Sequence, residues 1–174
     1  MSGEVELSLQ DLRVVARHAA GCAREVLALF EAERPGDGRP RAAVEAADAF
    51  ADGAARTVLQ RTTALAAHRA AAEAPPGAAR EAARATASAA AAAYLHPLAR
   101  ATQVRHVLGA AASAARAAEL AVGGDEAVGA AWIERARQRA TPGLVAVLRR
   151  YPAAPTGGNR TSRLVAALDA ALRA

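Results

Sequence analysis

The amino-acid sequence predicts an all-α protein, a compact bundle of about seven to eight helices joined by short Pro/Gly turns. Apolar residues recur at spacings of three and four, and no segment shows the alternation that a strand requires. About one-third of the 174 residues are alanine, the strongest helix former. Only 3% of the residues are aromatic, so the core has to be built from Leu, Val and Ala. The length favours one domain, residues 1–174.

The first half of the chain predicts four helices, each bounded by a capping residue or by Pro and Gly. Ser8 is the expected N-cap of a long first helix, and Pro40 suits the first position of the second. The fourth helix should end near His96, because Pro97 disfavours helical angles in the residue before it. The predicted ranges are about 8–33, about 40–52, a third helix through Val58 and Leu65 to about 74, and about 78–95.

The second half predicts four more helical segments, two of them short. Thr102 is the expected cap of a fifth helix that ends at Gly123-Gly124, and Asp125 or a neighbour begins the sixth. After Pro142-Gly143 we expect a short helix at 144–151, and Ser162 is the expected cap of the last helix.

Composition limits the chemistry that the protein can use. The single cysteine, Cys22, excludes an internal disulfide and a cysteine-based zinc site, and its place on the apolar stripe of the first helix predicts a core residue. We expect neither a metal nor a cofactor. The N-terminus lacks the pattern of a signal peptide, and the alanine run at 89–93 is too short to cross a membrane, so we predict a cytoplasmic protein.

The charge is polarised along the chain. Residues 1–53 carry 6 arginines against 10 acids, residues 54–123 carry 8 against 3, residues 124–174 carry 8 against 4, and no lysine occurs. Arginine binds carboxylates and phosphates, so a basic surface suits an acidic partner or a phosphorylated ligand, although a solvated arginine-rich surface is the more ordinary explanation. No aromatic residues are interleaved with the arginines as in single-strand binders, which speaks against nucleic acid.

The segment Tyr94–Gly109 concentrates the uncommon residues of the chain, including two of its four histidines. His68 follows Leu65 by three positions, which predicts that it turns toward the apolar face of the third helix. If His68, His96 and His106 converge with Glu45, Glu119 or Tyr94, they form an acid–base pocket for a small molecule. The alternative is structural, with Tyr94 and His96 binding the free carbonyls at the end of their helix.

The turn at 34–41 is a second candidate. It is rich in Pro and Gly and carries Asp37, Arg39 and Arg41, so it suits a recognition loop. The alternative is an ordinary rigid turn held by an Arg–Asp pair.

Four stretches of the sequence resemble a family of actinobacterial putative immunity proteins. They are FEAERPGDGRPRAAVEAA (30–47), AAHRAAAEA (66–74), AYLHPLARATQVRHVLGAAASAARAAELA (93–121) and VLRRYPAAPTG (147–157). The resemblance covers nearly the whole chain and implies an all-helical protein that neutralises a toxin-like protein partner. It supplies no catalytic residue.

We therefore expect a binding protein rather than an enzyme, with a surface that combines the turn and the Tyr94 segment. The candidate binding residues are Asp37, Arg39, Arg41, Tyr94, His96, Gln103 and His106. The alternative is a small-molecule-binding protein or a cofactor-free acid–base enzyme of a secondary-metabolite pathway, with His68, His96, His106 and Tyr94 as the reactive groups.

Overall fold

The structure is a computed structural model that describes residues 3–174, so that residues 1 and 2 of the predicted domain lie outside the described range. Within that range the chain is 73% helical, with nine α-helices and no strand, which confirms the all-α prediction. The helices are α1 (Leu9–Arg24), α2 (Leu27–Glu33), α3 (Arg39–Ala51), α4 (Val58–Glu73), α5 (Ala78–Ala91), α6 (Val104–Ala121), α7 (Glu126–Arg139), α8 (Pro142–Leu148) and α9 (Arg160–Arg173).

Two of the predicted caps are confirmed and two are wrong. Ser8 caps α1 in a reciprocal capping box with Asp11, and Asp125 caps α7. Thr102 does not cap α6, because residues 101–103 form a single 3-10 turn that runs directly into that helix. Asn159 caps α9 three residues before Ser162, which itself supplies one of the capped backbone N–H groups.

The long first helix of the prediction is broken in two after Arg24. At Val26 the backbone makes a tighter turn, with the amide of Val26 bonded to the carbonyl of Ala23, and α2 leaves in a new direction to pack on α5. The break places both Val26 and Phe30 in the core without exposure. Neither Gly nor Pro marks this position, so no local signal predicts it.

Alanine lets the helices pack closely around a central pair, α5 and α6. Helices α3 and α4 pack on the α5 side, α7 and α9 on the α6 side, and α1 contacts both central helices. The largest fully buried apolar side chains fill the gaps between helices: Phe30, Phe50, Leu108, Leu144, Leu148 and Leu168. The N-terminal segment joins this body by an isolated antiparallel bridge between Glu4 and Leu98.

Helix α4 packs with the opposite face from the one that its large apolar residues predict. Ala64 and Ala67 are buried in a cluster made only of alanines from α3, α4 and α5, whereas Leu65 is 52% exposed. His68 is exposed on the same side of the helix, so the prediction that it turns inward is wrong. The close approach of helix axes favours the smallest side chains, and this requirement decides the orientation.

Candidate functional site

The outward face of α4 combines exposed apolar and cationic side chains. It consists of residues at the helical spacing 58, 62, 65, 69 and 72, and α4 is about 24 Å long. Val58 is 68% exposed and Leu65 52% exposed, although the buried positions on the same helix are occupied by four alanines and Gln60. Arg69 lies between them and the C-terminal end. We call these residues, with the flanking Leu59, Arg61 and His68, the α4 face.

The Pro/Gly-rich turn lies against the C-terminal end of α4. Arg39 bridges Asp37 and Glu73, with Nη2 at 2.7 Å from Asp37 Oδ2 and 2.6 Å from Glu73 Oε2. Hydrogen bonds from Arg39 lower the pKa of both carboxyl groups. Arg34 donates to the carbonyl of Glu73 as well. The turn thus contains the rigid Arg–Asp pair of the structural alternative, extended to α4.

Arg41 is engaged on the other side of the turn. Its Nε and Nη2 donate to the two carboxylate oxygens of Glu31 at 2.7 and 2.9 Å. This bidentate contact raises the pKa of Arg41. The pair joins α3 to α2, and both members keep part of their surface in solvent.

Tyr94 lies at the other end of α4. Its hydroxyl donates to the carbonyl of Thr57, the N-cap of α4, at 2.6 Å, and not to a carbonyl of its own helix as expected. The guanidinium groups of Arg61 and Arg56 lie over its ring at 4.6 and 5.3 Å from the centroid. The two candidate regions predicted from the sequence therefore contact the two ends of α4. The turn at 34–41 lies at its C-terminal end, and Tyr94 lies at its N-terminal end.

His96 and Gln103 lie away from this face. The Nδ1 atom of His96 accepts the amide N–H of Leu98 at 3.2 Å, and its own carbonyl accepts the hydroxyl of Tyr151 at 3.0 Å. His96 thus stabilises the loop through an N–H group, not through the helix carbonyls that we expected. The side-chain oxygen of Gln103 is buried and has no hydrogen-bond partner among the described residues.

His68 and His106 line the same groove, and His96 does not. The groove, of about 430 Å³, lies between α4, α5, α6 and the start of α9. Both side chains keep a large exposed part, but the part that lies against the groove loses hydration, which lowers the pKa of both imidazoles. Arg84 adds to the effect at His68 and Arg105 at His106, so both are neutral near pH 7. The structure therefore brings two of the three predicted histidines together.

Glu81, which also lines this groove, was not singled out from the sequence. One carboxylate oxygen binds Arg84 at 2.6 Å, and the other is buried without a partner in the described chain. Its position three residues before Arg84 is typical of a helical ion pair, which is why the sequence gives it no functional signal.

A second concavity lies beside α1 and carries little free charge. It is lined by His18, Arg24, Arg139 and their neighbours, and encloses about 570 Å³. Arg24 is bound to Asp48, and Arg139 is bound to Glu25. The arginines of this concavity are thus neutralised within the protein, unlike those of the α4 face.

The arginines of the α4 face were also missed from the sequence. The available signal is the absence of any acidic residue between Asp52 and Glu73, a run that contains Arg56, Arg61 and Arg69. Within residues 3–174 none of these three makes an ion pair.

Metal sites and membrane spans are two further features that bear on function. No cluster of three or more His, Cys, Asp or Glu side chains suited to a metal ion occurs among residues 3–174. None of the helices described in that range has the length and apolar character needed to cross a bilayer.

Comparison with known proteins assigns the chain to a family. No curated protein and no solved structure matches the chain. A family model described as Imm-5 like putative immunity protein matches residues 6–141, which contain α1 to α7 and the whole α4 face. Because this match covers well over half of the sequence, the chain belongs to the Imm-5 like putative immunity protein family.

Proposed function

We propose that this protein is a cytoplasmic immunity protein that neutralises a toxin-like protein by stoichiometric binding, acting as a single domain of residues 1–174. The observation that carries the proposal is the α4 face, which exposes Val58 and Leu65 while the same helix buries alanines. Large apolar side chains left outside in this way are typical of a surface that a protein partner covers.

The rigidity of the surroundings supports a preformed binding surface. Arg39 fixes the turn to the C-terminal end of α4, and the Tyr94 hydroxyl fixes its N-terminal end. A surface held at both ends loses little conformational freedom when a partner binds, which favours high affinity. We propose that the turn residues and Tyr94 act mainly by holding α4, with His106 contacting the partner at the edge of the groove.

Co-production with a toxin tests this proposal. The chain is expressed with each toxin-like protein encoded near its own gene, and cell survival and the mass of any purified complex are measured. We expect protection and a 1:1 complex, both weakened in the double variant Arg39→Ala/His106→Ala and unchanged in Arg149→Ala, which alters an exposed arginine after α8. Absence of both a protein complex and protection would refute the proposal.

A second candidate function follows from the groove. His68, His106 and the unpartnered oxygen of Glu81 place two neutral imidazoles and an acceptor around a volume that suits a small molecule. This function is the small-molecule-binding or acid–base alternative that the sequence suggested, with His68 and His106 but without His96. Thermal-shift screening of small polar compounds should then find a stabilising ligand whose effect is lost in His68→Ala and His106→Ala but kept in His96→Ala. Equal effects in all three variants would exclude the groove.

A further inference from the structure

The charged residues of the α4 face are all arginines. Arg61 and Arg69 are exposed on the face, Arg56 lies beside its N-terminal end, and Arg105 lines the adjoining groove. No acidic residue occurs between Asp52 and Glu73, or between Glu81 and Glu119. The surface formed by α4 and the start of α6 is therefore cationic around an apolar centre.

The acidic side chains nearest in the fold do not neutralise this surface. On α3, Asp48 is bound to Arg24, and at the end of that helix Asp52 is bound to Arg17. Glu73 is bound to Arg39 and Glu81 to Arg84. Glu45 is the remaining acid on α3, and it is exposed. Apart from Glu45, the neighbouring carboxylates are thus bound in internal ion pairs, and the arginines of α4 remain available to a partner.

A second copy of the chain does not suit this face. A twofold axis across α4 makes the two helices antiparallel, and a contact centred on Leu65 then places Arg61 of one copy opposite Arg69 of the other. A twofold axis along α4 makes them parallel and places each arginine opposite its own counterpart. Both residues are cationic and neither has an acid beside it on the face. Desolvating like charges opposes association.

The mixture of apolar and cationic residues on the α4 face also favours a protein partner over other anionic partners, such as nucleic acid or a membrane. Nucleic acid would leave the apolar residues Val58, Leu59 and Leu65 without a counterpart, because its outer surface is a phosphate backbone. A membrane would use a wider apolar face, but here the exposed apolar residues alternate with Thr62 and Arg69 on a helix anchored in the bundle. An acidic protein surface with an apolar pocket matches both the arginines and the apolar residues of the α4 face.

We infer that the α4 face docks an acidic patch of the partner protein, with Leu65 in an apolar pocket and Arg61 and Arg69 bound to carboxylates around it. The inference rests on the proposed function, since it assumes a protein partner, and it adds the chemistry of that partner. Apolar anchors surrounded by paired charges are a common arrangement at protein interfaces, in which the charges raise the association rate and the anchors hold the complex.

Site-specific photocrosslinking tests the inference even while the partner is unidentified. The photoreactive residue benzoylphenylalanine replaces Leu65 in one variant and Val122 in the other, in the cells that naturally produce the chain. Val122 is the matched control, because it is 56% exposed against 52% for Leu65 and follows the end of α6. Adducts are identified by mass spectrometry, which also locates the crosslinked peptide. We expect an adduct from position 65 only, with a peptide rich in Asp and Glu.

Reversing the charge of Arg69 then tests whether electrostatic attraction contributes to the binding, beyond contact at Leu65. Arg69→Glu should reduce the affinity for the identified protein by about tenfold or more, and the wild-type affinity should fall as salt rises. Arg149→Glu, which makes the same change after α8, should leave the affinity unchanged. Urea unfolding of both variants shows that each remains folded.

Each other result overturns the inference in a recognisable way. An adduct between two copies of the chain, a non-acidic partner, or binding to vesicles of anionic lipid by the wild type but not by Arg69→Glu would each assign another occupant. An adduct from position 122 alone, or equal effects of the two charge reversals, would move the binding surface elsewhere while leaving a protein partner in place. Failure of the proposed function itself would appear differently, as the absence of any protein complex and of protection.

Discussion

At the scale of single residues, His18 makes the stability of the fold depend on pH. Its side chain is 5% exposed, and burial, with the charge of Arg139 as a lesser cause, lowers its pKa from 6.5 to about 4. Nδ1 has no hydrogen-bond partner among residues 3–174, and Nε2 lies 3.9 Å from Cys22 Sγ. Protonation of the folded state would therefore place an unpaired charge in the core.

The sign of this effect follows from the two pKa values. Well above pH 6.5 His18 is neutral in both the folded and the unfolded chain, and its contribution to the free energy of unfolding is complete. As the pH falls toward about 4, only the unfolded chain takes up the proton, and this contribution is lost. The free energy of unfolding should decrease by about 2 kcal/mol between about pH 7.5 and about pH 5. Urea unfolding of wild type and His18→Leu at both pH values measures it. The two proteins share their carboxylates, so parallel pH profiles would contradict the assignment to His18.

Gly129 is required by a buried carboxylate. Glu119 is completely buried and is bound by Arg160 and by Arg116, whose Nη1 lies 2.9 Å from Oε2. Burial opposes its ionisation, but these hydrogen bonds prevail and lower the pKa of the carboxyl. A Cβ atom at position 129 of α7 would overlap the carboxylate of Glu119.

Gly129→Ala should therefore destabilise the protein by about 3 kcal/mol, because it displaces one member of a buried charge cluster. Gly143→Ala is the matched control: Gly143 is also helical, and an added methyl group there would meet its neighbours at ordinary contact distance, 3.6 Å or more. The control should be neutral or slightly stabilising. Thermal unfolding by circular dichroism compares the two, and equal melting temperatures would show that Glu119 can move without cost.

At the scale of secondary-structure elements, α4 inverts the usual relation between side-chain size and burial. Ala67 is buried in the alanine cluster, and Leu65 faces solvent. We expect Ala67→Leu to cost about 1–3 kcal/mol because it overpacks the contact between helices, while Leu65→Ala changes the stability by less than about 0.5 kcal/mol. Denaturant unfolding of both variants provides the measurement, and the reverse order of effects would place α4 in the opposite orientation.

The sequence predicts the elements better than their faces. Pro and Gly locate most helix ends, because their backbone preferences act locally, and Ser8 and Asp125 are confirmed as caps. The break at Val26 and the orientation of α4 depend on which helices meet, information that periodicity does not contain. At the candidate site the same limit applies: the spacing places Leu65 on an apolar face that proves to be exposed, and it groups His96 with histidines whose groove it does not line.

At the scale of the whole molecule, the family match and the folded unit have different extents. The match ends at residue 141, yet α8 and α9 lie beyond it and pack on α1, α6 and α7. These last helices contribute seven buried aliphatic side chains: Leu144, Val147, Leu148, Leu164, Val165, Leu168 and Leu172. The ion pair of Arg160 with Glu119 joins α9 to the centre of the bundle.

A chain truncated after residue 141 should consequently fail to fold, although it keeps the whole family segment and the α4 face. Removal of α8 and α9 uncovers the surfaces of α1, α6 and α7 against which they pack, and it leaves the buried carboxylate of Glu119 without Arg160. Breaking a buried ion pair in this way costs about 3–5 kcal/mol, a large part of the net stability of about 5–15 kcal/mol that typical domains retain. Helix content and cooperative thermal unfolding of the truncated chain provide the test. Leu168→Ala in the full chain is the control, and it should remain folded with a stability lower by about 2–5 kcal/mol. Cooperative unfolding of residues 1–141 alone would show that the chain contains a smaller autonomous unit, contrary to the single domain proposed here, and would make α8 and α9 an addition to it.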